Sequence, residues 1–438
     1  MDDVDSNVNL ALEMAAISAV KSEEIVGLAK EASDLNRIQN ILDESKDRVQ
    51  TVKAVLSTTA PHEVTPELAR AMDNQLDRAV DVVIPPTDGM EAVLGAEHLG
   101  YTLLPQDYLL TRLAGCENFL NDFFKKSKEV LARMGASAKE AYILVTQTHD
   151  NLETALDALE KSLEASGNFD SNQTILLGSR LFNLFKINGK VSEDWPSDLS
   201  RLSRTISGIS NNYYLSSKNQ LNTLMSYFGG FADADAETGR DRYLRLPVVI
   251  DNNRFKECSY PNKDLTTGAV TAKQSVELMG GAFFVDVRLN NPARGQLSND
   301  DAVGEYLTRH LDMEYVGFEN NAPMIFPKLG NEVKALSSGQ IKAVIKHLRE
   351  VLKEWKKVFE GGEKFKMSES DFSDISKGIY ESSMPEDLKD KALTAFSSLI
   401  RKNQMELLNL RVAVNSYLVL VVNGLVDLCH DSIKANVA

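Results

Sequence analysis

Nearly all of the strand-like sequence in this 438-residue chain lies between positions 242 and 327, and that confinement constrains the fold more than any other feature. Residues 243–250, 282–289 and 313–318 are runs rich in Val, Ile, Phe, Tyr and Leu, types that fit a pleated, half-buried surface. Turn chemistry clusters around them, at Asp251-Asn252-Asn253, Tyr260-Pro261-Asn262, Gly280-Gly281 and Asn290-Asn291-Pro292. On either side, apolar residues recur every three or four positions, the period of a helix. A mainly α fold follows: helical bundles and long helical hairpins around a small β-rich insert at about 243–318.

The first helix is expected from Asp5 or Ser6, either of which can cap it, and no proline interrupts it before Pro61. Leu28, Leu35, Leu42, Val49 and Leu56 recur every seven residues, with Ile25, Ile38, Ile41, Val52 and Val55 thickening the stripe. A sustained seven-residue repeat requires a partner helix. The partner is either another part of this chain, which closes a hairpin, or a second copy, which makes the stripe a self-association site. Thr65 and Pro66 open the next helix, with Leu68, Met72, Leu76, Ala79 and Val83 at helical spacing. Pro85-Pro86 then breaks the helical text.

Beyond the linker, a helix is expected from Pro105 to Met134-Gly135, with Tyr108, Leu109, Leu113, Phe119, Leu120, Phe123 and Phe124 on one side. Ser137 with Glu140 reads as a capping box that opens another helix, ending at Ser166-Gly167. Helices are expected over 171–185, 196–209, 213–228, 337–359 and 370–380, and over 385–433 as one run or two meeting near Lys402-Asn403. The resulting organisation is an acidic helical hairpin or coiled-coil segment (1–84), a linker (85–104), a helical domain (105–241), the β-rich insert (242–327) and a carboxy-terminal helical domain (328–438) packing on 105–241.

The formal charge of -15 is concentrated at one end. Residues 1–100 hold 8 Lys and Arg against 19 Asp and Glu. Such a balance opposes broad electrostatic attachment to nucleic acid and leaves room only for a local basic surface. Cys116, Cys258 and Cys429 are far apart, which excludes a metal knuckle or redox pair and fits three buried thiols in a reducing compartment. The acidic start, Met1-Asp2-Asp3, is unlike a signal peptide. The most apolar run, 412–428, is interrupted by Asn415, Asn423 and Asp427 and reads as a buried core helix rather than a membrane span.

Few motifs carry chemistry. Asp233, Asp235 and Glu237 alternate like a calcium loop, but Gly239 falls one place late and Leu244 stands where the bidentate Glu belongs. His62, His98, His149, His310, His347 and His430 have no metal-ligand spacing. No phosphate-cradling glycine loop or nucleophile elbow is present. Asn172-Gln173-Thr174 matches a glycosylation acceptor with nothing else pointing to secretion. No catalytic, cofactor-binding or metal residue is assigned. The candidate nucleic-acid surface is the helix carrying Lys342, Lys346, Arg349, Lys353, Lys356 and Lys357, whose apolar face holds Ile341, Val344, Ile345, Leu348, Leu352, Trp355 and Phe359. The same lysines, balanced by Glu350 and Glu354, are also what an ordinary solvated face looks like.

Gly95-Ala96-Glu97 directly follows the acidic segment and the diproline. Here, over residues 1 to about 100, the sequence resembles internal head and other virion proteins of large tailed bacteriophages. That resemblance implies an acidic, helical propeptide removed by a maturation protease after a small residue, any residue and Glu. Ala11-Leu12-Glu13 and Ser22-Glu23-Glu24 fit the same pattern. The functional expectation is a non-enzymatic structural protein of a phage particle, internal to the head or associated with the capsid and acting in head assembly. It would lie in the virion after assembly in the host cytoplasm. Its partners would be other virion proteins or itself, with weak contact to packaged DNA, no membrane and no small-molecule substrate. The alternatives are a cytoplasmic helical scaffold using the 25–56 stripe, and an enzyme whose residues are dispersed along the chain.

Overall fold

A computed structural model describes residues 2–81, 104–170, 173–192, 194–209, 215–252, 262–265, 267, 270–289, 297–320, 331–360 and 369–437. The fold is mainly helical with small open sheets. It divides into two compact units, one of residues 30–137 and one of residues 1–29 with 138–438. Two long helices, α1 (Asp2–Thr58) and α3 (Pro105–Ser166), contribute to both.

The smaller unit is a three-helix arrangement of α1, α2 (Pro66–Asp81) and α3. Leu35, Leu42, Val49 and Leu56 are all buried, so this seam is closed within the chain. α1 and α3 run antiparallel: Gln39 Nε2 donates to Ser127 Oγ at 2.8 Å, Lys46 lies over the Phe123 ring at 5.8 Å, and Lys53 meets Glu117 at 3.5 Å. The inward positions step 35, 39, 42, 46, 49, so polar Gln39 and Lys46 are buried and Ile38 is left exposed. Ile38 therefore does not belong to the stripe it was expected to thicken. A polar residue at a seam position fixes register at some cost in stability. α2 is tied to α3 through Tyr108, whose hydroxyl donates to the Ala69 carbonyl at 3.1 Å, and through an Arg112–Asp73 pair at 2.9 Å.

α3 does not end at Met134-Gly135. Gly135 costs a helix roughly 1 kcal/mol relative to Ala, but Met134, Ser137 and Ala141 are buried, and their packing carries the helix through. Ser137 caps nothing; its hydroxyl donates back to the Arg133 carbonyl at 3.2 Å.

In the larger unit the axis is α11 (Glu386–Val437), unbroken through Lys402-Asn403. Among the described residues it is the one helix long and apolar enough to cross a bilayer, and most of that stretch is buried in the protein. Val414, Val421, Val422, Leu425, Val426 and Cys429 are fully enclosed. Two of its polar residues find partners in the core: Asn423 Nδ2 donates to the Ala15 carbonyl at 2.9 Å, and Arg411 lies over the Tyr142 ring.

The β-rich insert is a four-stranded antiparallel meander, β4 (Asn262–Asp264), β5 (Val270–Ser275), β6 (Ala282–Leu289) and β7 (Tyr315–Asn320). It joins α11 through Phe318, which stacks on Tyr417 at 5.0 Å. The Tyr417 hydroxyl donates to the Met279 carbonyl at 3.1 Å. A buried ionic cluster completes the junction. Arg288 reaches Asp286 at 2.8 Å and Glu314 at 3.4 Å; Glu314 also accepts from the Leu289 N–H at 3.0 Å and meets His310 Nδ1 at 3.1 Å. Lys402 of α11 donates to the carbonyls of Leu311 and Glu314, closing the carboxy-terminal end of α8 (Asp300–Met313).

Two expected elements are otherwise in the structure. Residues 243–250, read as a strand, lie inside α7 (Ala236–Asn252) with Pro247 within it. Tyr243, Leu246 and Ile250 are buried at helical spacing, and burial of that face overrides the strand preference of Val248 and Val249. Within 171–185, read as a helix, the described part holds strand β1 (Thr174–Leu177) and short helix α4 (Ser179–Leu184). β1 alternates exposed and buried residues and pairs antiparallel with β8 (Asn331–Lys334). Strands thus extend outside 243–318. A hairpin of β2 (Lys186–Ile187) and β3 (Lys190–Val191) turns on Asn188-Gly189, with φ of 51° and 75°. That left-handed pair suits the twist of a hairpin, and Asn-Gly is its usual composition. α5 (Trp195–Gly208), α6 (Leu215–Gly229), α9 (Ser338–Glu360) and α10 (Glu369–Glu381) fall where expected.

Candidate functional site

The β1–β8 ribbon sets the start of α9 beside the end of α3. Ala335 N–H donates to the Gln173 carbonyl at 2.9 Å and Ser338 N–H to the Phe169 carbonyl at 3.2 Å. From there α9 packs its apolar face on α5 and on α3. Ile341, Val344, Leu348, Val351 and Leu352 are fully buried, as are Leu199 and Ile206 of α5. The opposite face carries the cations: Lys342, Lys346, Lys353 and Lys357 are exposed, and Arg349 and Lys356 half-buried.

Arg349 is held by two carboxylates of α3, at 2.7 Å from Glu160 and 2.5 Å from Asp157. Hydrogen bonding to Glu160 first, then to Asp157, keeps its guanidinium protonated beyond the ordinary range. Burial by itself would raise the Glu354 carboxyl, but hydrogen bonds from Lys357 and Ser207 and the charges of Lys357 and Lys353 bring it below its usual value. Glu350 meets His347 at 3.0 Å. Lys342, Lys346, Lys353 and Lys356 have no ion pair or hydrogen-bond partner among the described residues. Glu153, Asp157, Arg349, Lys353, Lys356 and Lys357 line an open groove of about 650 Å³ between α3 and α9.

At the edge of this groove His149, Asp150 and Glu153 offer ligand atoms within 4.8 Å of one another. The chemistry does not favour a cation there. His149 Nε2 already bonds the Leu352 carbonyl at 3.0 Å, and the groove beside Glu153 is lined by Arg349 and three lysines. The trio is local to α3, with Glu153 four residues after His149; the spacing was legible in the sequence, but a lone His with two acids on one helix is no distinctive ligand pattern.

The other candidate residues fall elsewhere. Leu28 is half-buried, and Leu35, Leu42, Val49 and Leu56 are enclosed in the smaller unit. Gly95, Ala96 and Glu97 lie outside the described residues, as do Asn172 and Cys258. Ala11 and Ser22, which begin the other two cleavage-like tripeptides, are buried in the first half of α1. The calcium-like run is the start of α7. Asp235 accepts from the Thr238 N–H at 2.8 Å, and that bond holds its carboxyl below the usual range. A Cβ at Gly239 would sit 2.2 Å from Met384 Sδ, so any larger residue there would push the Met384 side chain aside. Cys116 and Cys429 are buried free thiols; burial pushes Cys116 up to about 11 and Cys429 higher still, which makes both poor nucleophiles.

Fold and surface together define a helical protein that presents charged faces from long, internally packed helices. The chain belongs to the phiKZ-like phage internal head proteins: the sequence model of that family matches residues 23–431, a span that takes in the smaller unit and most of the larger. No curated protein and no solved structure matches it.

Proposed function

We propose that this chain is a non-enzymatic structural component of a phage particle, resident inside the head and acting in head assembly. The observation that carries the reading is the family match over 23–431, which covers nearly the whole length rather than one motif. The packing supports it. α1, α3 and α11 each exceed fifty residues, and much of their apolar surface is buried within the chain, which leaves charged side chains outward. Helices of this kind would dock through their outer faces onto other virion proteins while their own cores stay closed.

The test is protease treatment of purified particles followed by mass spectrometry. Peptides of this chain are expected to survive treatment of intact particles and to disappear once the heads are opened by osmotic shock. Absence from particles, or digestion without opening, would overturn the assignment.

The same digests address processing at Gly95-Ala96-Glu97. As an acidic escort, residues 1–97 would leave the body after cleavage. Packing weighs against their departure: Val8, Ala11, Ala15 and Ile25 are buried in the larger unit, and Ser18 Oγ bonds the Thr148 carbonyl at 3.4 Å. Stripping them would expose that core, at about 1 kcal/mol or more per large apolar side chain. Peptides from 6–29 are therefore expected in mature particles at the abundance of the rest. Their loss, together with a peptide beginning at His98, would restore the escort.

A further inference from the structure

We infer that the exposed face of α9 is a binding surface for the phosphate backbone of duplex DNA, engaged without sequence preference. The inference rests on the proposed place inside the head, where packaged DNA is the abundant polyanion. Lys342, Lys346, Arg349, Lys353, Lys356 and Lys357 follow one another at steps of four, three, four, three and one. At 3.6 residues per turn they fall within an arc of about 100°, and at 1.5 Å per residue they form a row about 22 Å long. The row runs straight along one helix face, so it can follow a phosphate backbone over several nucleotides.

Four members of the row, Lys342, Lys346, Lys353 and Lys356, have no ion pair or hydrogen-bond partner among the described residues. Arg349 is set at the inner edge by Asp157 and Glu160, and Lys357 is held by Glu354 at 2.5 Å. The α3 carboxylates thus bound the surface on one side, and Glu350 and Glu354 bound it on the other. Phosphate is directed along the crest between them. Because the chain as a whole carries -15, attraction is confined to this crest, and binding is weak and strongly salt-dependent.

An acidic protein segment is the competing occupant, and composition decides against it. Protein interfaces are depleted in lysine and gather aromatic side chains at their centres. This face is lysine-rich, and Trp355, the aromatic residue of the same stretch, is turned into the core. The lack of an exposed ring on the face also favours duplex over single-stranded nucleic acid, which binds by stacking.

The experiment is fluorescence anisotropy of the full chain with a duplex of arbitrary sequence about three helical turns long, across a salt series. Four phosphate contacts predict a slope of log affinity against log salt of about -3.6. Replacing Lys342, Lys346, Lys353 and Lys356 together by Gln is expected to lower affinity at least tenfold and bring the slope towards zero. Replacing exposed Lys125, Lys128, Lys139 and Lys263 by Gln should leave both unchanged. No binding by the wild-type chain at low salt, or equal losses in both variants, would overturn the surface. A change in sedimentation of the α9 variant without a change in DNA binding would reassign the face to an acidic protein partner. Absence of the chain from particles would remove the proposed location and leave this solution measurement standing, so the two failures are separable.

Discussion

Val419→Asp is expected to prevent the larger unit from folding. Val419 is 4% exposed on α11, between Leu418 at 1% and Val421 and Val422 at 0%. An ionised carboxylate there loses its hydration and gains no counter-charge, and a protonated one leaves a buried polar group unsatisfied. Either state costs several kcal/mol, against a total stability of about 5–15 kcal/mol for a folded domain. The expected readout is loss of soluble yield, or a chain whose cooperative thermal transition is gone. Val419→Ala removes only two methyl groups and should fold with a lowered midpoint, which separates the charge from the cavity. If Val419→Asp melted like the wild type, or if the wild-type chain partitioned into membranes on fractionation, α11 would not be the core helix described here.

The double variant Leu35→Asp, Leu42→Asp should do to the smaller unit what Val419→Asp does to the larger. Both leucines are 3% exposed and sit one heptad apart on the seam between α1 and α3. Buried Gln39 stands between them and already spends its hydrogen bonds on Ser127 and Asp43. Two carboxylates introduced on the same seam would lose their hydration, and the nearest buried cation, Lys46, reaches only position 42 and already lies over the Phe123 ring. Protection from amide exchange over 30–81 and 104–137 is expected to collapse. The oligomeric state of the soluble protein should stay as in the wild type, because the seam is closed within one chain. A variant with wild-type exchange and melting would show that the seam is not packed, and one that lost only a dimer would return the stripe to self-association.

These two results probe features that differ in how far the sequence alone specifies them. The seven-residue repeat from Leu28 to Leu56 demands a partner helix whatever the fold, because an apolar stripe of that period is unstable in water. The apolar run of α11, the edges of β6 and the turn at Gly280-Gly281 are equally local properties, and they stand where the residue pattern puts them. The Asn188-Gly189 turn is as local as any of them; its dipeptide is signal enough for the hairpin it makes. The cation row of α9 is likewise written in its spacing.

What the tertiary structure decided is everything that depends on residues distant in the chain. Thr174–Leu177 is a strand because β8 supplies its hydrogen bonds, with Phe169 meeting Ser338 at a separation of 169 positions; nothing near 174 announces that partner. Residues 243–250 have strand-like composition and are helical because Tyr243, Leu246 and Ile250 find a core at helical spacing. That α3 lies along the heptad stripe, with Gln39 buried and Ile38 exposed, depends on which helix reaches it. The tie on Arg349 follows from where α3 places Asp157 and Glu160, about 190 positions earlier in the chain. Local period and turn chemistry are fixed by neighbours within a few residues, whereas strand pairing, register and charge pairing are set by contacts whose free energy exists only once the chain has folded.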